Sequence, residues 1–182
     1  VGEMAGQLDT LRSNEFTPVT ITGVRIDAKT NDTYLHYTVG KVEVKNTAGK
    51  WVALKAGTAI TAKAGAKLQG RVQLTAYAAR AAARTVEFTL AVPKSRAGSV
   101  ATLGVSGGLD CDNGSGTTGT CDTGVKPTSF AKLLSSLQNQ PKNDQIRAAL
   151  VFGESTSGAV RAVSSVGDVV TGGIEVPVRI KK

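Results

Sequence analysis

The sequence predicts a mainly β fold, an antiparallel β-sandwich of immunoglobulin-like or related type with one or two short helices. Three observations lead there. Aliphatic residues alternate with period two in about eight runs, turn residues separate the runs, and Val and Thr are plentiful while aromatics make up 4%. Val and Thr suit a pleated, half-buried surface better than a helix. With so few rings, the core has to be built from Val, Leu, Ile and Ala. At 182 residues the chain is long enough to bury such a core.

Residues 1–16 read as a helix and linker, and residues 17–182 as the sandwich domain. Met4, Leu8 and Leu11 recur at helical spacing over residues 3–14, and Asn14 and Pro18 end the helix. From Thr17 the period becomes two. Val19 and Ile21, then Val24 and Ile26, lie on either side of Gly23, which suggests a bulge. Leu35, Tyr37 and Val39, then Val42 and Val44, repeat the pattern around Gly40. Asn31-Asp32 and Ala48-Gly49 are turn signals. Trp51 to Leu54, Leu68 to Ala76, Val86 to Val92 and Val100 to Val105 follow as strands. The Ala-rich stretches 63–67 and 78–84 fit the strand pattern least well. Seven residues are too few for a stable helix over 78–84, so a loop or strand extension is expected there.

A second helix is expected over 128–139. Thr128 or Ser129 caps it, Phe130, Leu133, Leu134 and Leu137 line one side, and Asn139 and Pro141 end it. Ile146, Ala148, Leu150 and Phe152 then alternate. Ile174, Val176, Val178 and Ile180 form the last strand. Pro177 within it donates no hydrogen bond, so this strand is expected at a sheet edge.

Cys111 and Cys121 flank a Gly-, Ser- and Thr-rich stretch within a loop spanning 109–124. An even pair around such a loop reads as a disulfide. Closing it would stabilise by about 2.7 kcal/mol on the chain-entropy account. A metal or redox pair would favour Cys-x-x-Cys spacing, which is absent. The disulfide implies an oxidising, extracytoplasmic compartment, secreted or at the cell surface. Asp110, Asp112, Asn113 and Asp122 crowd the same loop and make a calcium candidate, since hard cations take several oxygen ligands. The EF-hand pattern fails there, because Gly114 comes one place early and Cys121 stands where Glu would. An ordinary turn is the favoured reading, and no metal or cofactor is expected.

The formal net charge is +8, but Lys and Arg are scattered singly along the strands. That suits a solvated surface better than a nucleic-acid reader, which adds clustered bases or stacking aromatics. A polyanion such as a wall polymer remains the alternative partner. No run is long and apolar enough to span a membrane. The start at Val1-Gly2-Glu3, without an initiator Met, leads to the expectation of a processed chain or a piece of a longer one.

Catalytic motifs are absent. A Ser–His–Asp triad would have to use His36, the one histidine, which lies in an alternating strand and reads as an outward residue. There is no Gly-x-Ser-x-Gly elbow, phosphate loop or dinucleotide fingerprint. The expectation is a non-enzyme.

Four stretches nevertheless carry a likeness. They are Leu11-Arg12-Ser13-Asn14-Glu15-Phe16; Ala91-Val92-Pro93 with Ala97-Gly98 and Val105-Ser106-Gly107-Gly108; Ser129-Phe130-Ala131-Lys132-Leu133-Leu134 running to Pro141-Lys142-Asn143-Asp144-Gln145; and Gly167-Asp168-Val169-Val170-Thr171-Gly172. In this order the chain resembles the region that follows the peptidase domain in secreted bacterial proteins of the sporulation-factor-IV-B-type serine peptidase family. In that family catalysis belongs to an upstream chymotrypsin-like domain with a Gly-x-Ser-Gly-type loop. That loop is missing here, so no catalytic residue carries over. The resemblance implies an accessory β-domain of a peptidase-like secreted protein.

The leading expectation is therefore a non-catalytic accessory or binding module for an unidentified protein or cell-wall partner. A structural surface or filament subunit, which would self-associate, is the first alternative. A serine peptidase-related enzyme is the second.

Overall fold

The structure, a computed structural model, describes residues 2–27, 35–77, 81–112, 116–117, 119–121, 126–153 and 155–182. Of residues 2, 3, 112 and 155–157 the backbone alone is described. The chain forms two compact units, one of residues 1–33 with 126–140, the other of residues 34–125 with 141–182. The helix expected over 128–139 thus groups with the N-terminal segment, and so do residues 17–27.

In the first unit α1 (Gly2–Arg12) is the expected N-terminal helix. Asn14 ends it. Its side-chain amide donates to the Leu11 and Thr17 carbonyls, and its Oδ1 accepts from the Phe16 and Thr17 amides. A second helix of this unit covers Phe130–Gln138, with Ser129 as its N-cap accepting the Lys132 amide. Leu133 is its buried residue, whereas Leu134 is 37% exposed. The Gln7 and Gln140 side chains share a hydrogen bond.

The strand expected over residues 19–26 does not form. The segment is described without secondary structure, and Ile21, Val24 and Ile26 are 39%, 52% and 68% exposed. Alternation supplies a strand's two faces, but a strand exists only when its backbone finds a partner. The Asn31-Asp32 turn lies outside the described residues.

The second unit is β. Its ten strands among the described residues are β1 (His36–Lys45), β2 (Trp51–Ala53), β3 (Ile60–Lys63), β4 (Lys67–Ala76), β5 (Arg84–Ala91), β6 (Val100–Gly107), β7 (Gln145–Phe152), β8 (Ser155–Ser165), β9 (Val169–Thr171) and β10 (Gly173–Lys181). A 3₁₀ turn at Lys94–Arg96 and a five-residue helix at Gly108–Asp112 interrupt them. One sheet runs β2-β1-β4-β5, with β9 also on β1; the other runs β3-β10-β6-β7-β8. Tyr37, Val42, Val72, Leu74 and Leu90 of the first sheet and Leu103, Val105, Leu150, Val176 and Val178 of the second share one buried cluster. Two sheets around one aliphatic core are compatible with the expected sandwich.

Most strand pairs are antiparallel as expected; two further pairs are parallel, and the last strand corrects the expectation of a sheet edge. The β1–β9 and β3–β10 pairs are parallel. The strand of Ile174, Val176, Val178 and Ile180 is interior, because β10 lies between β6 and β3. Pro177 is tolerated there for a local reason. The Ile180 amide bonds Ser99 on the β6 side, so by alternation the missing Pro177 donor faces β3. Pairing with β3 begins one residue later, at Val178.

The bulge expected around Gly40 is present. The β1–β4 register shifts between Val39 and Val42, so Tyr37, Val42 and Val44 all reach the core. The expected Ala48-Gly49 turn joins β1 to β2. Asn46 Oδ1 accepts from the Ala48 and Lys50 amides, and Gly49 has φ of 76°. Of the Ala-rich stretch at 78–84, residues 78–80 lie outside the described ones, residues 81–83 form no helix or strand, and Arg84 opens β5.

Candidate functional site

The two flanks of the sheet pair differ. On one, β5 and β8 come together. The Ser164 hydroxyl donates to the Glu87 carbonyl at 3.3 Å. Arg84 bonds the Val166 carbonyl and Asp168, both at 3.0 Å, and lies over the Tyr37 ring. On the other flank the edge strands are β2 and β3, which belong to different sheets and are three and four residues long. A cleft of about 370 Å³ opens there, lined by Val44, Val52, Ile60, Thr61 and Lys181 among others.

The sequence explains why this flank stays open. Val52 pairs with Val44 across β1 and β2, so both side chains point to the core side of the sheet. Val44 is 3% exposed but Val52 is 42% exposed. A core-facing valine remains half in water because no further strand covers it among the described residues. On the opposing sheet, Ile60 and Ala62 pair with Val178 and Ile180, and thus face inward. Among the described residues no strand pairs with the other edge of β3, although its Lys63 carbonyl already accepts the Ala66 amide. The Ala64 amide bonds the Lys181 carbonyl of β10 at 2.9 Å. Successive amides in a strand point to opposite edges, so the Thr61 and Lys63 amides point away from β10. Lys45 and Lys181 line the cleft, and Lys63 lines a smaller cavity beside it. The arrangement can accept an extended polypeptide, with backbone bonds to β3 and apolar side chains over Val52 and Ile60.

The outer face of the first sheet carries a charged ladder. Glu43 is buried, with Lys41 at 2.7 Å and Arg71 at 2.6 Å. Hydrogen bonds from Lys41, then Arg71, hold its carboxyl below the usual carboxylate range. Arg71 and Lys45 also stack on Trp51, at 4.5 Å and 5.0 Å from the ring centroid. The ring is therefore already engaged by cations of its own chain.

Cys111 and Cys121 form the expected disulfide. Its loop is docked rather than solvated where it is described. Arg147 Nε donates to the Thr120 carbonyl and Arg161 Nε to the Gly119 carbonyl, at 2.9 and 3.0 Å. Ser106, Thr117 and Thr120 share hydroxyl bonds beneath it. Desolvation, and then the neighbouring Arg161, lower the Arg147 pKa from its usual value. Sequence reading missed both arginines, because nothing in a lone Arg on a strand says which carbonyl it will meet.

Of the calcium candidates, Asp110 sits in the Gly108–Asp112 helix, while Asn113, Asp122 and the Asp112 side chain lie outside the described residues. Among the described residues no group of three His, Cys, Asp or Glu is placed to hold a metal ion. His36 shares a 2.7 Å hydrogen bond between Nε2 and Thr171 Oγ1, and stacks on Tyr77 at 6.0 Å. Among the described residues no helix is long and apolar enough to cross a membrane. No protein family, curated protein or solved structure matches the chain.

Proposed function

We propose that this chain is a non-catalytic accessory or binding domain of a secreted or cell-surface protein, and that it takes an extended polypeptide into the flank between β2 and β3. The observation that carries the reading is the core-facing yet 42% exposed Val52 beside the outward backbone of β3. Strand addition needs both features, since backbone bonds give affinity and side-chain contacts give register. The disulfide supports an oxidising compartment. The likeness to peptidase-associated regions supports a place after a peptidase-like domain in a bacterial protein.

The test is amide hydrogen exchange on the whole chain, titrated with a short synthetic peptide of alternating Val and Thr with a Lys at each end. Protection of β3 amides, with Thr61 and Lys63 foremost, is the expected result. Protection elsewhere, or none, contradicts the reading.

A second reading, a structural surface or filament subunit, is favoured by one observation. Residues 17–27 have a strand's alternation and no ladder among the described residues, and those from Thr20 to Asp27 are exposed. Such a run is a natural donor for an edge in another molecule.

A further inference from the structure

Val19, Ile21, Val24 and Ile26 repeat the apolar spacing of Tyr37, Val39, Val42 and Val44 in β1. Both sets step by two, three and two residues. In β1 the three-residue step is the bulge between Val39 and Val42, and it keeps the apolar residues on the core face. The segment Thr17–Asp27 thus has the side-chain pattern of a bulged core strand of this same fold. It is nevertheless described without secondary structure, with every residue from Thr20 to Asp27 exposed. The β2–β3 flank has the converse character, with an apolar floor and a strand edge that no other strand covers among the described residues.

We infer that residues 17–27 of one copy of this chain add as a strand to β3 of a second copy, laying their apolar face over Val52 and Ile60. The inference rests on the reading of the flank as a strand-accepting site and names its occupant. Charge permits the match. The segment carries Arg25 and Asp27, paired to each other at 3.0 Å, so it brings no net charge to the lysines there. Pro18 falls at the start of the strand, where a missing N–H is tolerated. Donor and acceptor are different surfaces, so the contact is heterologous. Repeated from copy to copy it yields a ring or an open filament.

The test uses two crippled forms of the whole chain. The donor form, Ile21→Asp with Ile26→Asp, changes exposed residues. The acceptor form, Thr61→Pro, removes an amide that points away from β10; Val52→Asp serves as a second acceptor form should Thr61→Pro lower the melting temperature. Sedimentation is followed over about a hundredfold range of concentration. The wild-type chain is expected to associate, and each form alone to associate at least about tenfold more weakly. An equimolar mixture should give a dimer that grows no further, because it has one working donor and one working acceptor. A wild-type chain that sediments as a monomer throughout overturns the inference, and so does a donor form that associates like wild type. If the Val–Thr peptide still protects β3 in such a chain, the flank accepts strands but not this one. If it does not, the reading of the flank fails as well.

Discussion

Val44 and Val52 face each other across β1 and β2, yet one is sealed in the core and the other is nearly half exposed. The contrast predicts unequal costs for the same truncation. Val44→Ala should destabilise by about 2 kcal/mol, because it removes buried methyl groups and leaves a void. Val52→Ala should stay within about 0.5 kcal/mol, as for other exposed positions. Urea unfolding of both variants measures the difference. Equal losses would mean that the flank is covered.

The Phe88 ring lies over Gly70, its cross-strand partner, and fills the space a side chain would take. A Cβ on Gly70 would come within 2.1 Å of the ring. Gly70→Ala should therefore cost about 1–3 kcal/mol by overpacking. In a Phe88→Leu background the same change should cost much less. A double-mutant cycle reads the coupling, and additive losses would contradict it.

Replacing Cys111 and Cys121 together by Ser removes a cross-link between residues ten apart. The expected loss is about 2.7 kcal/mol on the chain-entropy account. Arg147 and Arg161 would still hold the Thr120 and Gly119 carbonyls. The variant should thus fold, and unfold at lower urea. Failure to fold would show that the cross-link, rather than the arginines, docks the loop.

Glu43 gives a pH dependence of definite sign. Its folded pKa lies below the ordinary 4.5, since Lys41 and Arg71 favour the carboxylate. The stabilisation is full at pH above 4.5 and is lost as pH falls through the lowered folded value. Glu43→Gln should melt below wild type near neutral pH, with the gap closing in acid below pH 4.5. A gap that is constant or widens in acid would contradict the assignment.

Much of the β unit was legible because burial on one face forces period-two alternation. That held for β1, β4, β5 and β10, whereas β6 and β7 are buried on both faces and were legible from their apolar runs. The Gly40 bulge was legible too, since the apolar residues change parity there. What escaped were elements whose composition carries little pattern. Ile60-Thr61-Ala62-Lys63 has one large aliphatic residue, β9 has three residues, and β8 is rich in Ser and small residues. Missing β3 also misplaced β10. Pro177 points to a sheet edge by itself, yet it removes only one donor, just before pairing with β3 begins. The candidate site was legible only in halves. The pattern at residues 19–26 was visible as a strand, but its lack of a partner was not. The open flank depends on where two short strands of different sheets end, which no local pattern encodes.

The most direct measurement is the exchange rate of the Thr61 amide as a function of chain concentration, in wild type and in the Ile21→Asp, Ile26→Asp form. The account predicts slowing with concentration in wild type, and fast, concentration-independent exchange in the donor form. An amide already slow in dilute wild-type chain, or equally fast in both at every concentration, would contradict it.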